Sequence, residues 1–191
     1  MFYNCLNLIT LDLSNFDTSS VTDMRYMFWG CSSLTLLNIS SFNTSKVTDM
    51  AHMFCDCSKL VSLDLRNFDT GNVTDMRYMF FYCINLTTLD LNNFYTSDVI
   101  SMNDMFYNCS SLTTLDLSNF DTSSVTDMDY MFYNCSKLIS IYVSGKWNTN
   151  LIRCSDGMLK ECCSLPGFNQ EKTGIEMAKP VEEGGYFTLK L

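Results

Sequence analysis

The stretch MFYNCSSLTTLDLSNFDTSSVTDMDY, Met105 to Tyr130, decides how this chain must fold, because the chain is that stretch written repeatedly with drift. Copies also start at Met1, Met27, Met53, Met79 and Met131, a period of 26 residues held without a gap, and a degraded copy starts at Met158. A fixed period of this length marks an array of supersecondary units, each packing only against its neighbours. One unit cannot close a core alone; stacking makes it viable.

Within the unit, Leu112, Leu115 and Leu117 give the spacing LxxLxL. Leu115 and Leu117 alternate with Thr114, Asp116 and Ser118, which predicts a short strand with one buried face. The segment NFDTSS supplies turn chemistry. Val125, Met128, Met131, Phe132 and Cys135 then fall at spacings of three and four. That spacing predicts a short helix, with Ser124 and Asp127 as a cap-like start. Strands recurring at one period with a helical return must lie parallel, through right-handed crossovers. The expected architecture is therefore an α/β, right-handed solenoid, with parallel strands on the concave face and short helices on the convex face.

The repeat wording resembles a known family. LxxLxL strands with a short return resemble leucine-rich repeats, and MF-x-x-C-x-x-L-x-x-LDLSNFDTSxVTDM resembles the BspA-like repeats of bacterial surface proteins. One departure is plain: the slot that usually holds a ladder asparagine holds Phe16, Phe42, Phe68, Phe94 and Phe120. Aromatic stacking rather than an amide ladder is expected to anchor the turn. The resemblance implies a cell-surface or secreted location and adhesion to host matrix, host cells or other microbes.

Residues 1–165 read as the leucine-rich-repeat array and residues 166–191 as a C-terminal cap and tail. The final stretch holds both prolines and half of the eight glycines, and GYFTLKL alternates like a strand. Trp147 stands where the turn phenylalanine would be. The chain opens in mid-repeat, so it reads as a piece of a longer protein. Leu8, Leu11, Phe16 and Met24 would then present an unfinished core layer and a route to end-to-end self-association. No apolar run approaches the ~18 residues of a membrane span.

The formal net charge is −9. Residues 1–144 carry six Lys and Arg against fifteen acids, all Asp, while residues 145–191 carry six of each sign. An acidic array with no basic stripe argues against nucleic-acid binding. Of ten cysteines, seven (Cys5, Cys31, Cys57, Cys83, Cys109, Cys135 and Cys162) share one repeat slot on the apolar side of the return. They read as a ladder of buried thiols, since zinc needs ligands converging at closer spacings. Cys55 falls in an outward slot, and Cys154 and Cys163 are left over as a pair that could join.

The outward strand positions supply the candidate binding face. One row contains Asp64, Asp90 and Asp116 and ends at Tyr142; Thr88 and Thr114 flank it on one side and Arg66 on the other. Strands about 4.8 Å apart would set these carboxylates against one another at a cost of about 1 kcal/mol in water and 3–4 kcal/mol at an effective dielectric near 20. The row reads as an acidic groove for a protein ligand on a host or microbial surface. A second stripe, with Tyr26, Tyr78 and Tyr130 in one slot and Tyr3, Trp29, Phe81, Tyr107 and Tyr133 in another, reads first as inter-repeat packing. It also offers a carbohydrate-binding surface; a passive stalk and a cation-stabilised scaffold are further readings. No catalytic set is expected: His52 is the only histidine, and a ladder of like aspartates lacks the asymmetry of a general acid and base. No cofactor or metal is called for.

Overall fold

The computed structural model describes residues 1–190. The LxxLxL positions form β1 (Thr10–Asp12), β2 (Leu36–Asn38), β3 (Thr114–Asp116) and β4 (Ser140–Val143), and the tail supplies β5 (Thr188–Leu189). All pairings are parallel. β1 pairs with β2, and β3–β4–β5 form a second sheet, with Leu115 opposite Ile141 and Tyr142 opposite Thr188. In the two middle repeats the same positions lie outside named strands, although the Thr87 amide still donates to the Val61 carbonyl at 3.0 Å. A second parallel ladder runs along the far side of the repeats, through Asp23, Asp49, Asp75, Ser101, Asp127 and Cys154.

The return segment is not a helix. Among the described residues no α-helix occurs, and the only helical turns are short 3₁₀ pieces at Ile175–Met177 and Val181–Glu183. Over Met128–Cys135 the amides alternate. Those of Met131, Tyr133 and Cys135 close turns onto the carbonyls three residues back. Those of Met128, Tyr130, Phe132 and Asn134 donate to Cys154, Asp156, Met158 and Lys160 in the next repeat, at 2.8–2.9 Å. A helix would satisfy both sets within one segment; here half of them hold neighbouring repeats together.

Two left-handed residues per repeat make this possible. One column contains Tyr26, His52, Tyr78, Asp104, Tyr130 and Gly157, at φ 51–60°. The other, four residues on, contains Asn4, Gly30, Asp56, Tyr82, Asn108, Asn134 and Glu161, at φ 55–70°. Left-handed residues interrupt a right-handed helix. Chained three- and four-residue turns still bring Val125, Met128, Met131, Phe132 and Cys135 to the core, all fully buried. The apolar spacing of a helix arises without the helix.

Phe28, Phe54, Phe80, Phe106 and Phe132 run through the core as a stack, 5.5–5.7 Å apart and within 8° of parallel. All ten cysteines are free. Six of the ladder thiols (Cys31, Cys57, Cys83, Cys109, Cys135 and Cys162) are buried and Cys5 is half-buried, while Cys154 and Cys163 are exposed and unpaired. The buried thiols are also donors: Sγ of Cys83, Cys109 and Cys135 points at the carbonyls of Phe54, Phe80 and Phe106 at 3.1–3.2 Å. Burial raises the pKa of these three thiols well above the ordinary range. Cys55, expected to face outward, is buried too.

The turn is anchored by more than aromatics. Phe42, Phe68 and Phe94 do stack at 6.5 Å, as expected. Beside them runs a polar ladder one residue earlier, where Asn67 donates through Nδ2 to the Ile39 and Phe42 carbonyls and Asn93 to Leu65 and Phe68. Two residues after each phenylalanine, Thr18, Thr44, Thr70, Thr96 and Thr122 are buried. The Thr70 hydroxyl donates to the Tyr95 carbonyl at 2.8 Å and accepts the Tyr95 amide at 2.8 Å. This hydroxyl ladder answers the backbone groups that the non-strand turns leave open.

At the C-terminal end Phe187 is fully buried, edge-on to Phe132 and Trp147 at 6.1 and 5.3 Å. Trp147 Nε1 donates to the Ala178 carbonyl at 3.0 Å, tying the last turn to the segment that covers it. In the first repeat Leu8 and Leu11 are half-buried and Phe16 is exposed, but Met24, expected in the same open layer, is buried. Among the described residues no helix is long and apolar enough to cross a membrane.

Candidate partner-binding face

The strands place the outward residues in rows, as their alternation requires. Asp116 lies opposite Tyr142 across the β3–β4 pair, and Asp12 opposite Asn38 across β1–β2. Thr88, Asp90, Thr114 and Asp116 meet around one open groove of ≈ 330 Å³, floored by Leu63 and Leu89. Tyr142 faces a neighbouring depression with Asp116, Leu189 and Lys190. Asp64 and Arg66 lie outside both.

The carboxylates of the row are not left to repel one another. Each accepts the amide two residues on, so that Asp64 Oδ1 takes the Arg66 N–H at 3.2 Å, Asp90 that of Asn92 at 3.1 Å and Asp116 that of Ser118 at 3.0 Å. In repeat two Asn38 makes the same turn toward Ser40. The donors to these carboxylates are backbone amides rather than the flanking threonine hydroxyls. Two acids also have cations. Arg66 grips Asp64 with Nε at 2.9 Å and a second nitrogen at 2.7 Å, and these bonds bring the Asp64 pKa down to about 2. Burial works against the charge on Asp116, but Lys190 and the Ser118 donors more than offset it, and its pKa is lowered. Of the acids in the row, Asp64 and Asp116 are thus neutralised by cations, whereas Asp12 and Asp90 have no ion pair among the described residues.

Lys190 was not legible as part of this face, because it lies 74 residues from Asp116 and reaches it only through β5. Elsewhere, Asp127, Asp129 and Cys154 hold three potential cation-ligand atoms within 4.8 Å of one another. Asp129 Oδ1 already accepts the Asp156 amide at 2.6 Å. His52 lies between Tyr26 and Tyr78 as the middle of a three-ring stack, at 4.6 and 4.5 Å. Burial first, then Arg77, lowers its pKa, so it is neutral at pH 7.

The T. pallidum leucine-rich repeat protein (TpLRR) superposes with a TM-score of 0.54 at 19% identity, covering 87% of this chain and 69% of that one. A leucine-rich repeat protein from Bacteroides ovatus ATCC 8483 matches at 14% identity with a TM-score of 0.26, over 85% of this chain and 55% of that one. The first likeness shows a leucine-rich-repeat fold. No curated protein sequence matches the chain. Residues 1–88, and again residues 53–174, match a family described as "Mycoplasma protein of unknown function, DUF285".

Proposed function

The chain belongs to this DUF285 family, and from that premise we propose that it is a non-catalytic protein-interaction module of a bacterial cell-surface protein, adhering to host matrix or cells through its strand face. The observation that carries the reading is the groove where Thr88, Asp90, Thr114 and Asp116 converge around an unneutralised carboxylate. The Asp90 and Asp116 carboxylates, each held by its own backbone turn, are pre-set acceptors for a cationic patch on a partner protein, at little ordering cost. The BspA-like wording of the repeats supports the adhesive role. The stacked repeats are read as a right-handed solenoid, with the strands on its concave face.

The test is substitution of Asp64, Asp90 and Asp116 by Asn, singly and together, with binding measured on surfaces coated with matrix proteins. Asn keeps the turn acceptor, as Asn38 shows. The expected result is a melting temperature within a few degrees of the parent and a loss of binding dominated by Asp90→Asn. Saturable, salt-sensitive binding that survives the triple substitution would remove the strand face from the mechanism.

A further inference from the structure

The column of aromatic rings on the return segments has one missing rung. Tyr3 and Trp29 stack at 4.7 Å, and Phe81, Tyr107 and Tyr133 stack at 4.7 and 4.6 Å. Between Trp29 and Phe81 the repeat slot holds Cys55. The two rings are thus separated by two rungs, and the space between them is an open cavity of ≈ 430 Å³. Trp29 and Phe81 wall it, together with Cys55 and the stacked rings of His52 and Tyr78, and Asp56 lies at its edge. The Asp56 carboxylate accepts no hydrogen bond and pairs with no cation among the described residues, whereas Asp23, Asp64, Asp75 and Asp116 each have an Arg or Lys partner.

We propose that the gap at Cys55 is a binding slot for an arginine guanidinium on a partner protein, sandwiched between Trp29 and Phe81 in place of the missing ring and paired with Asp56. A flat group seated midway would lie one rung from each ring, the spacing at which this column already stacks. The guanidinium is planar and weakly hydrated, and it stacks on aromatic faces, best on Trp. Its fork matches a carboxylate in two parallel bonds. A lysine ammonium is a compact, strongly hydrated point charge that fills a flat slot poorly. A neutral ring would cover Asp56 while leaving its charge unpaired, which costs free energy. The chain's net charge of −9 favours a cationic partner. Burial already raises the pKa of Asp56, so a cation beside it relieves that penalty. The slot is separate from the groove at Asp90, so either reading can fail without the other.

The experiment titrates the full chain with the peptide Ac-Gly-Arg-Gly-NH₂ and with its citrulline and lysine counterparts, following the Trp29 indole resonance and the heat of binding. Citrulline keeps the flat shape and removes the charge. The expected result is saturable binding of the arginine peptide, with at least a tenfold loss for citrulline and a several-fold loss for lysine. Cys55→Tyr, which refills the rung as Tyr107 does two repeats on, should abolish binding. Asp56→Asn, which suits the left-handed backbone there, should weaken it at least tenfold with the fold intact. Equal affinity for citrulline, tighter binding of choline or of a neutral sugar, binding indifferent to both variants, or no arginine binding at tens of millimolar would each overturn the assignment.

Discussion

Lys190 forms an ion pair with Asp116, although 74 residues separate them along the chain. The contact exists because β5 continues the sheet beyond β4, so that the tail lays its lysine over the outward row. Half-exposed pairs of this kind contribute about 0–1 kcal/mol. Lys190→Ala should therefore lower the melting temperature by no more than about 3 °C. It should also raise the pKa of Asp116, read by carboxyl NMR, and strengthen binding of any cationic partner to the strand face. An unchanged Asp116 titration would show that the pair does not form in solution.

Asn134 tests turn against helix directly. Its φ is 55°, a region that Gly enters freely and Ala does not. Both substitutions lose the bond from Asn134 Nδ2 to Asn108 Oδ1, so their difference isolates the backbone. In the turn, Asn134→Gly should be more stable than Asn134→Ala by about 1 kcal/mol, whereas a helix would reverse the order by about the same amount. Chemical denaturation of the two variants decides.

Thr70 sits in the middle of the hydroxyl ladder, fully buried, with its Oγ bonded to both the amide and the carbonyl of Tyr95. Thr70→Val keeps the shape and removes both bonds, leaving two backbone groups of the next repeat unanswered. The expected cost is about 2–3 kcal/mol. Thr70→Ser, which keeps the hydroxyl, should cost less. Equal stability of the Val variant and the parent would mean the ladder is incidental.

Asp104 contributes a pH dependence of its own. Burial first, then Asp127 and Asp129, outweigh its bond to Tyr78 and raise its pKa from 3.8 to about 6. The folded state then binds more protons than the unfolded one between these values, so this group's contribution to stability falls as pH rises from about 4 to 6 and is level above. Asp104→Asn removes the charge, keeps an acceptor for the Asn103 amide and suits the left-handed backbone. At pH 7.5 it should stabilise the protein by about 1 kcal/mol, a value already discounted for solvent screening. The gain should vanish near pH 4. A gain equal at both pH values would point to backbone effects instead.

The sequence by itself determined the repeat, its period, the strand with its inward leucines, the buried thiol slot and the row that contains Asp64, Asp90 and Asp116. Each follows from chain-local chemistry: alternation sets the strand faces, and a fixed period forces equivalent residues into columns. It also brought Thr88, Asp90, Thr114 and Asp116 to one surface. Only the tertiary structure decided the return segment. Spacings of three and four are shared by a helix and by chained turns, and what separates them is where the amides of Met128, Tyr130, Phe132 and Asn134 find acceptors. Those acceptors lie a whole repeat away. The signal that could have spoken earlier is the second left-handed column, where Asn4, Gly30, Asp56, Asn108 and Asn134 are residue types that favour this backbone region. The neutralisation of Asp116 by Lys190 and the empty rung beside Cys55 were likewise decided in three dimensions, because a partner 74 residues away, or a ring missing between two neighbours, exists only once the repeats are stacked.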